Sequence, residues 1–185
     1  MNSALRRALR FLLSPDAEWR AIKDEIPDQR RILVSFVLPL ASIPAVSWCL
    51  GLFLSAGASS IDFVWIAHRG LITYFGAVLS ILLLAASMFV LAPLFTAGRD
   101  WPRALQVAAY SSSPVLLAGV VLVLPDLAFA TLLAAFHSFF LQYVGVQQVL
   151  GAKEGEAAEY VALGIVLLII ASTLLGAFGS WLGLL

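Results

Sequence analysis

The sequence predicts an all-α fold: a polytopic membrane helix bundle of five transmembrane helices, preceded by amphipathic interfacial helices. Three observations point there. Five long apolar stretches are cut by four short breaks. The 185-residue chain is 62% hydrophobic and 12% charged, with a mean hydropathy of +0.99, where soluble domains run near half apolar and about a quarter charged. Net charge is zero, yet seven of the eleven Lys and Arg (Arg6, Arg7, Arg10, Arg20, Lys23, Arg30, Arg31) precede the first stretch.

The chain divides into a cytoplasmic head, residues 1–30, and a transmembrane domain, residues 31–185. In the head, Leu5, Ala8, Leu9 and Leu12 fall on one face of a helix from Asn2 to Leu13, with Arg6, Arg7 and Arg10 opposite. That pattern suits a helix in the membrane interface, its arginines at anionic headgroups. Ser14 and Pro15 read as N-cap and first position of a second helix, with Asp16 and Glu18 favoured by its dipole. Trp19, Ile22 and Ile26 share a face, and Pro27 ends the helix.

A span needs about 20 apolar residues, at 1.5 Å rise each through a core about 30 Å thick. The candidates are 32–54, 70–95, 103–124, 127–150 and 160–185, and all eleven acids fall in the head or the breaks. The head is too long for the n-region of a signal peptide, so Ala56-Gly57-Ala58 is not expected to be cleaved. With the N-terminus inside, the inner segments hold ten basic residues and the outer segments only Arg69. The positive-inside rule then puts the N-terminus in the cytoplasm and the C-terminus outside. Pro125-Asp126 ties the third and fourth spans into a tight hairpin. Pro39, Pro44, Pro93 and Pro114 predict kinks that serve packing. Trp48, Trp65, Trp101 and Trp181 sit near span ends, as an aromatic belt requires.

Polar residues at depth are the candidate site. Counting from the hairpin turn places Ser112 and His137 both about 17 Å down, near mid-bilayer. The same count sets Gln106 level with Gln142, and Tyr110 belongs to the cluster. Uncharged polar groups on packed helices predict interhelical hydrogen bonds. A Ser112–His137 hydrolase would need an orienting acid and an oxyanion hole, but no acid lies deep enough. Small residues at helical spacing, Ser172, Gly176, Gly179, Ser180 and Gly183, predict a helix-packing interface in the fifth span. One cysteine, Cys49, excludes an internal disulfide and a Cys-based zinc site. No phosphate-binding loop, HExxH or nucleotide fingerprint is present, so no cofactor is expected. The basic residues flank a membrane span and do not form a nucleic-acid surface.

The order of features resembles a known family. Ser14-Pro15 is followed by Trp19 and Ile22, then Leu38-Pro39-Leu40 in the first span. Gly98-Arg99-Asp100 leads into a third span with Tyr110 and Pro114, then come Pro125 and Gln142-Tyr143-Val144-Gly145. This looks like the bacterial branch of the Yip family, the Rab/Ypt-interacting type of membrane protein. The resemblance implies five helices, a cytosolic N-terminus and a bacterial inner membrane, and it brings no catalytic residues. Eukaryotic members are linked to vesicle trafficking, Rab GTPases and membrane curvature, and their cytosolic segment is longer and acidic where this one is short and basic. The expectation is a non-enzymatic scaffold, accessory subunit or membrane-organising factor, in contact with lipid and with a second copy or a larger membrane complex. The alternative is a small oligomeric transporter or channel with a polar path between spans three and four.

Overall fold

The computed structural model describes residues 3–55 and 62–181, and these are helices and short connections throughout. Two short helices form the head: α1 (Ser3–Leu13) and α2 (Pro15–Asp24). Five longer segments follow: α3 (Gln29–Ser55), α4 (Phe63–Leu94), α5 (Trp101–Val123), α6 (Ala130–Gln148) and α7 (Glu154–Trp181). Four of these, α3, α4, α5 and α7, are long and apolar enough to cross a membrane. The fourth expected span, α6, has 19 residues and is less apolar, because it carries His137, Gln142, Gln147 and Gln148.

Prolines and caps explain where the segments differ from the sequence expectation. Pro39 has no N–H to donate, and α3 absorbs the missing bond in a π-helical turn over Leu33–Val37, where Leu38 N–H donates to Leu33 O. The second span starts at Phe63 and not Gly70, since the Asp62 carboxylate caps it by accepting from Trp65 N–H at 3.0 Å. Arg69 is therefore helical. The third span is not one continuous α-helix. It is α-helical over Trp101–Ser111 and Ser113–Ala118 and tightens to 3-10 over Gly119–Val123. Pro114 leaves the Tyr110 carbonyl without its helical donor, and the Ser113 hydroxyl donates to it instead. Ser111 and Ser112 both donate to Ala108 O, at 3.2 and 2.7 Å. The serine triplet thus repairs the break. The last span begins at Glu154, six residues before the expected Tyr160.

Small residues set the closest approaches. A Cβ on Gly119 would lie 2.6 Å from Pro44 Cβ, and one on Gly51 would lie 2.6 Å from the Leu122 carbonyl oxygen. The kinked half of α3 and the 3-10 end of α5 therefore pack nearly backbone to backbone. At the opposite end, the loop after α4 meets the loop before α7. Gly98 N–H donates to Leu150 O at 2.7 Å, and Thr96 Oγ1 donates to Glu156 Oε2 at 2.9 Å. The Tyr160 hydroxyl donates to Met88 O at 2.5 Å while its ring stacks on Phe95 at 5.1 Å. This fixes the start of α7 to the end of α4. Burial in α7 is confined to Ala157, Tyr160, Val161 and Gly164. Beyond Gly164, Ile165 and Leu168 still pack against the core, while Ile169, Ile170, Leu174 and Phe178 are exposed.

Candidate functional site

The head docks onto the bundle through aromatic rings. Phe11, Trp19 and Ile22 are each 0% exposed. Ring atoms Cζ2 and Cη2 of Trp19 lie over Gly145 of α6, where an added Cβ would be 2.8 Å away, with Val107 Cγ1 of α5 at 3.0 Å. Phe11 meets Trp19 edge-on at 4.9 Å and stacks on Tyr110 at 5.3 Å, and Phe36 closes the row edge-on to Tyr110 at 4.7 Å. Such pairs contribute roughly 0.5–1.5 kcal/mol each beyond their burial. The row joins both head helices to α3, α5 and α6.

Charges frame this contact. The Arg7 guanidinium lies 4.7 Å from the Tyr110 ring centroid, and its Nη2 donates to both Glu25 carboxylate oxygens at 2.7 and 2.8 Å. Arg10 Nε pairs with Glu18 at 2.7 Å. Glu25 is about half exposed, and exposed pairs contribute only about 0–1 kcal/mol. Ring packing therefore does most of the holding, and the ion pairs set the angle between α1 and α2.

The three arginines of the headgroup expectation are placed differently from one another. Arg7 turns inward, while Arg6 and Arg10 are exposed. The apolar face of α1 is also rotated. Ala4, Ala8 and Phe11 are buried against the bundle, while Leu9 is exposed and Leu5 and Leu12 are half-buried. In α2, Trp19 and Ile22 are buried, but Ile26 lies past the helix end and is 93% exposed.

The intramembrane polar cluster divides in two. Gln106 and Tyr110 belong to a small cleft beneath the head, shared with Arg7, Glu25, Asp28 and Arg31. Ser112 and Gln142 line a separate cavity of about 440 Å3 between α4, α5, α6 and α7. His137 lines neither. Its Nε2 is buried without a partner, and its ring sits 6.2 Å from that of Phe140. Ser112 and His137 thus share no pocket, and the Ser112 hydroxyl is spent on Ala108 O. Sequence reasoning missed Ser138, which lines the cavity and is 5% exposed. The available signal was its spacing: Ser138 and Gln142 are four apart, hence on one face of α6.

In α7, Ser172 Oγ donates to Leu168 O at 2.7 Å and to Ile169 O at 3.0 Å, and nothing lies within 4 Å of a Cβ built on Gly176. Ser172 and Gly176 line an apolar groove against α4, with His68, Phe75 and Leu79 on the other wall. Gly179 lies half-buried further along α7. Gly183 and Ala56-Gly57-Ala58 lie outside the described residues. Among the described residues, no group of three His, Cys, Asp or Glu is placed to hold a metal ion.

A bundle with four apolar helices of spanning length, and no charged side chain on the wall of its inner cavity, defines an integral α-helical membrane protein. Residues 9–176 match the Yip1 domain, from within α1 to late in α7, and the chain belongs to the Yip family. The match takes in Trp19 and Gly145, which meet under the head, and Tyr110, which Phe11 links to Trp19. No curated protein and no solved structure matches the chain.

Proposed function

We propose that this Yip-family membrane protein is non-enzymatic and works by contact, as a scaffold or membrane-organising factor of a bacterial inner membrane. The reading rests on α7. This helix is anchored at Tyr160, and past Leu168 it exposes large apolar side chains such as Ile169, Ile170, Leu174 and Phe178. In a bilayer this face meets lipid tails as apolar as itself, so small residues rather than hydrophobicity favour a second copy or another membrane protein there. The groove holding Ser172 and Gly176 is where a partner helix could approach closely.

The ten-to-one distribution of basic residues supports a cytoplasmic head and five crossings, with α6 as the least apolar. Arg6 and Arg10, exposed on α1, are the residues assigned to headgroups. Arg7 is assigned to the head contact.

In-cell photocrosslinking tests the reading. A photoreactive residue at Ile170 or Leu174 should give discrete protein adducts, while one at the buried Val161 should give none. Adducts to lipid alone, with monomeric behaviour in mild detergent, would remove it.

A further inference from the structure

The cavity between α4, α5, α6 and α7 carries a second inference, independent of whether the chain acts as a scaffold. Six hydroxyl or amide side chains line it: Thr73, Ser80, Ser112, Thr131, Ser138 and Gln142. Four spend their hydrogen on a carbonyl of their own helix or the turn before it. Thr73 donates to Arg69 O, Ser80 to Gly76 O, Ser112 to Ala108 O and Thr131 to Ala128 O, at 2.6 to 2.9 Å. The other two do not. Ser138 Oγ and Gln142 Oε1 are buried without partners, and each residue is only 5% exposed. Leaving such groups unpaired in an apolar interior is unfavourable, and Ser and Thr bonded to their own helix avoid it. Ser138 alone among the lining hydroxyls makes no such bond, although its helix offers carbonyls. One turn separates it from Gln142, so both residues line the cavity from one side of α6, with their unpaired oxygens just beneath its surface.

The remaining wall is hydrocarbon, including Ile81, Leu84, Leu116, Ile165 and Leu168, and none of the lining residues is charged. The lining runs from Thr73 to Leu84 on α4 and from Thr131 to Gln142 on α6. Eleven residues of helix make each wall about 17 Å long, a little over half the roughly 30 Å hydrocarbon core. That is the length of a lipid chain in one leaflet. An ion would find no countercharge here, and a phosphate headgroup would find no cation. We propose that the cavity binds an uncharged lipid bearing a free hydroxyl. The chain fills the apolar slot, and with the Ser138 and Gln142 side chains turned into it the hydroxyl donates to Gln142 Oε1 and accepts from Ser138 Oγ.

The test uses the full-length protein in phosphatidylcholine vesicles. The probe is a long-chain alcohol carrying a diazirine in its chain, and the competitors are the unlabelled alcohol and its methyl ether. The alcohol should label peptides of α4 and α6 and should compete about five- to tenfold better than the ether, which cannot donate. Ser138→Ala and Gln142→Leu should each bring the alcohol down toward the ether. Ala135→Phe, which fills the slot, should abolish labelling. Ser138→Ala removes a single oxygen, so it remains informative if the larger changes disturb folding. Equal competition by alcohol and ether in the unaltered protein, the result expected if water occupies the site, would overturn the proposal. So would labelling that survives Ala135→Phe.

Discussion

The indole of Trp19 occupies the space that any side chain at position 145 would need: a Cβ on Gly145 would sit 2.8 Å from two of its ring carbons. The tryptophan comes from the head and the glycine from the fourth long helix. Their contact makes the head part of the bundle.

Gly145→Ala should therefore loosen the head without touching its sequence. Overpacking of this kind costs about 1–3 kcal/mol. Trp19→Ala, which empties a fully buried site, should cost more, about 3–5 kcal/mol. The two changes should be strongly non-additive, since the alanine at 145 clashes only while the indole is present. Thermal unfolding in mild detergent gives the stabilities, and limited proteolysis between α2 and α3 reports release of the head. Additive effects would mean that the two residues do not meet.

Arg7 and Glu25 share a two-oxygen hydrogen bond but should not weigh equally. Glu25→Ala removes a half-exposed pair and should cost about 0–1 kcal/mol, less at high salt. Arg7→Ala also uncovers Tyr110 and should cost more, by about 0.5–2 kcal/mol and with little salt dependence in the excess. Arg7→Lys should recover only part, because an ammonium cannot reproduce the planar stack. Unfolding at low and high salt measures all three.

At the base of α7, Tyr160→Phe deletes the hydroxyl that bonds Met88 O and keeps the ring on Phe95. The expected loss is about 1 kcal/mol. Tyr160→Ala removes both and should cost about 3–5 kcal/mol. Engineered cysteines flanking the α4–α7 contact should still crosslink in the phenylalanine variant and fail in the alanine variant.

Gly51→Ala pushes a methyl against the Leu122 carbonyl oxygen, which belongs to backbone and cannot rotate aside. It should be as damaging as a core overpacking change, about 1–3 kcal/mol or more. Gly76→Ala meets nothing within 4 Å and should be neutral or slightly stabilising. Detergent melting temperatures of the two variants should separate clearly.

The long apolar helices were legible in the sequence because a bilayer imposes a length on them. Their ends were less so. Asp62 lengthens α4 by a cap, while Pro114 interrupts α5 where a proline predicts a kink. The polar cluster shows the limit of counting by depth. Depth fixes height along a helix but not direction around it. His137 and Ser138 are neighbours in height yet about 100° apart, so only the second enters the cavity. Gln106 lies before the break and Ser112 at it, and the two line different pockets. The face of α1 was misjudged for a related reason. Its leucine stripe is the more apolar one, but Phe11 has a partner in Tyr110, whose position near the helix depends on the tertiary fold. The family motifs marked Trp19, Tyr110 and Gly145 separately, and only the folded chain shows that Phe11 joins them into one head contact.

The docking of Trp19 has a temporal side. Its seat is made by Val107 and Gly145, which leave the ribosome long after the head has emerged. Through most of synthesis the head therefore has no seat on the bundle. Its capture waits for α6 to join α5, when α7 alone remains to be placed.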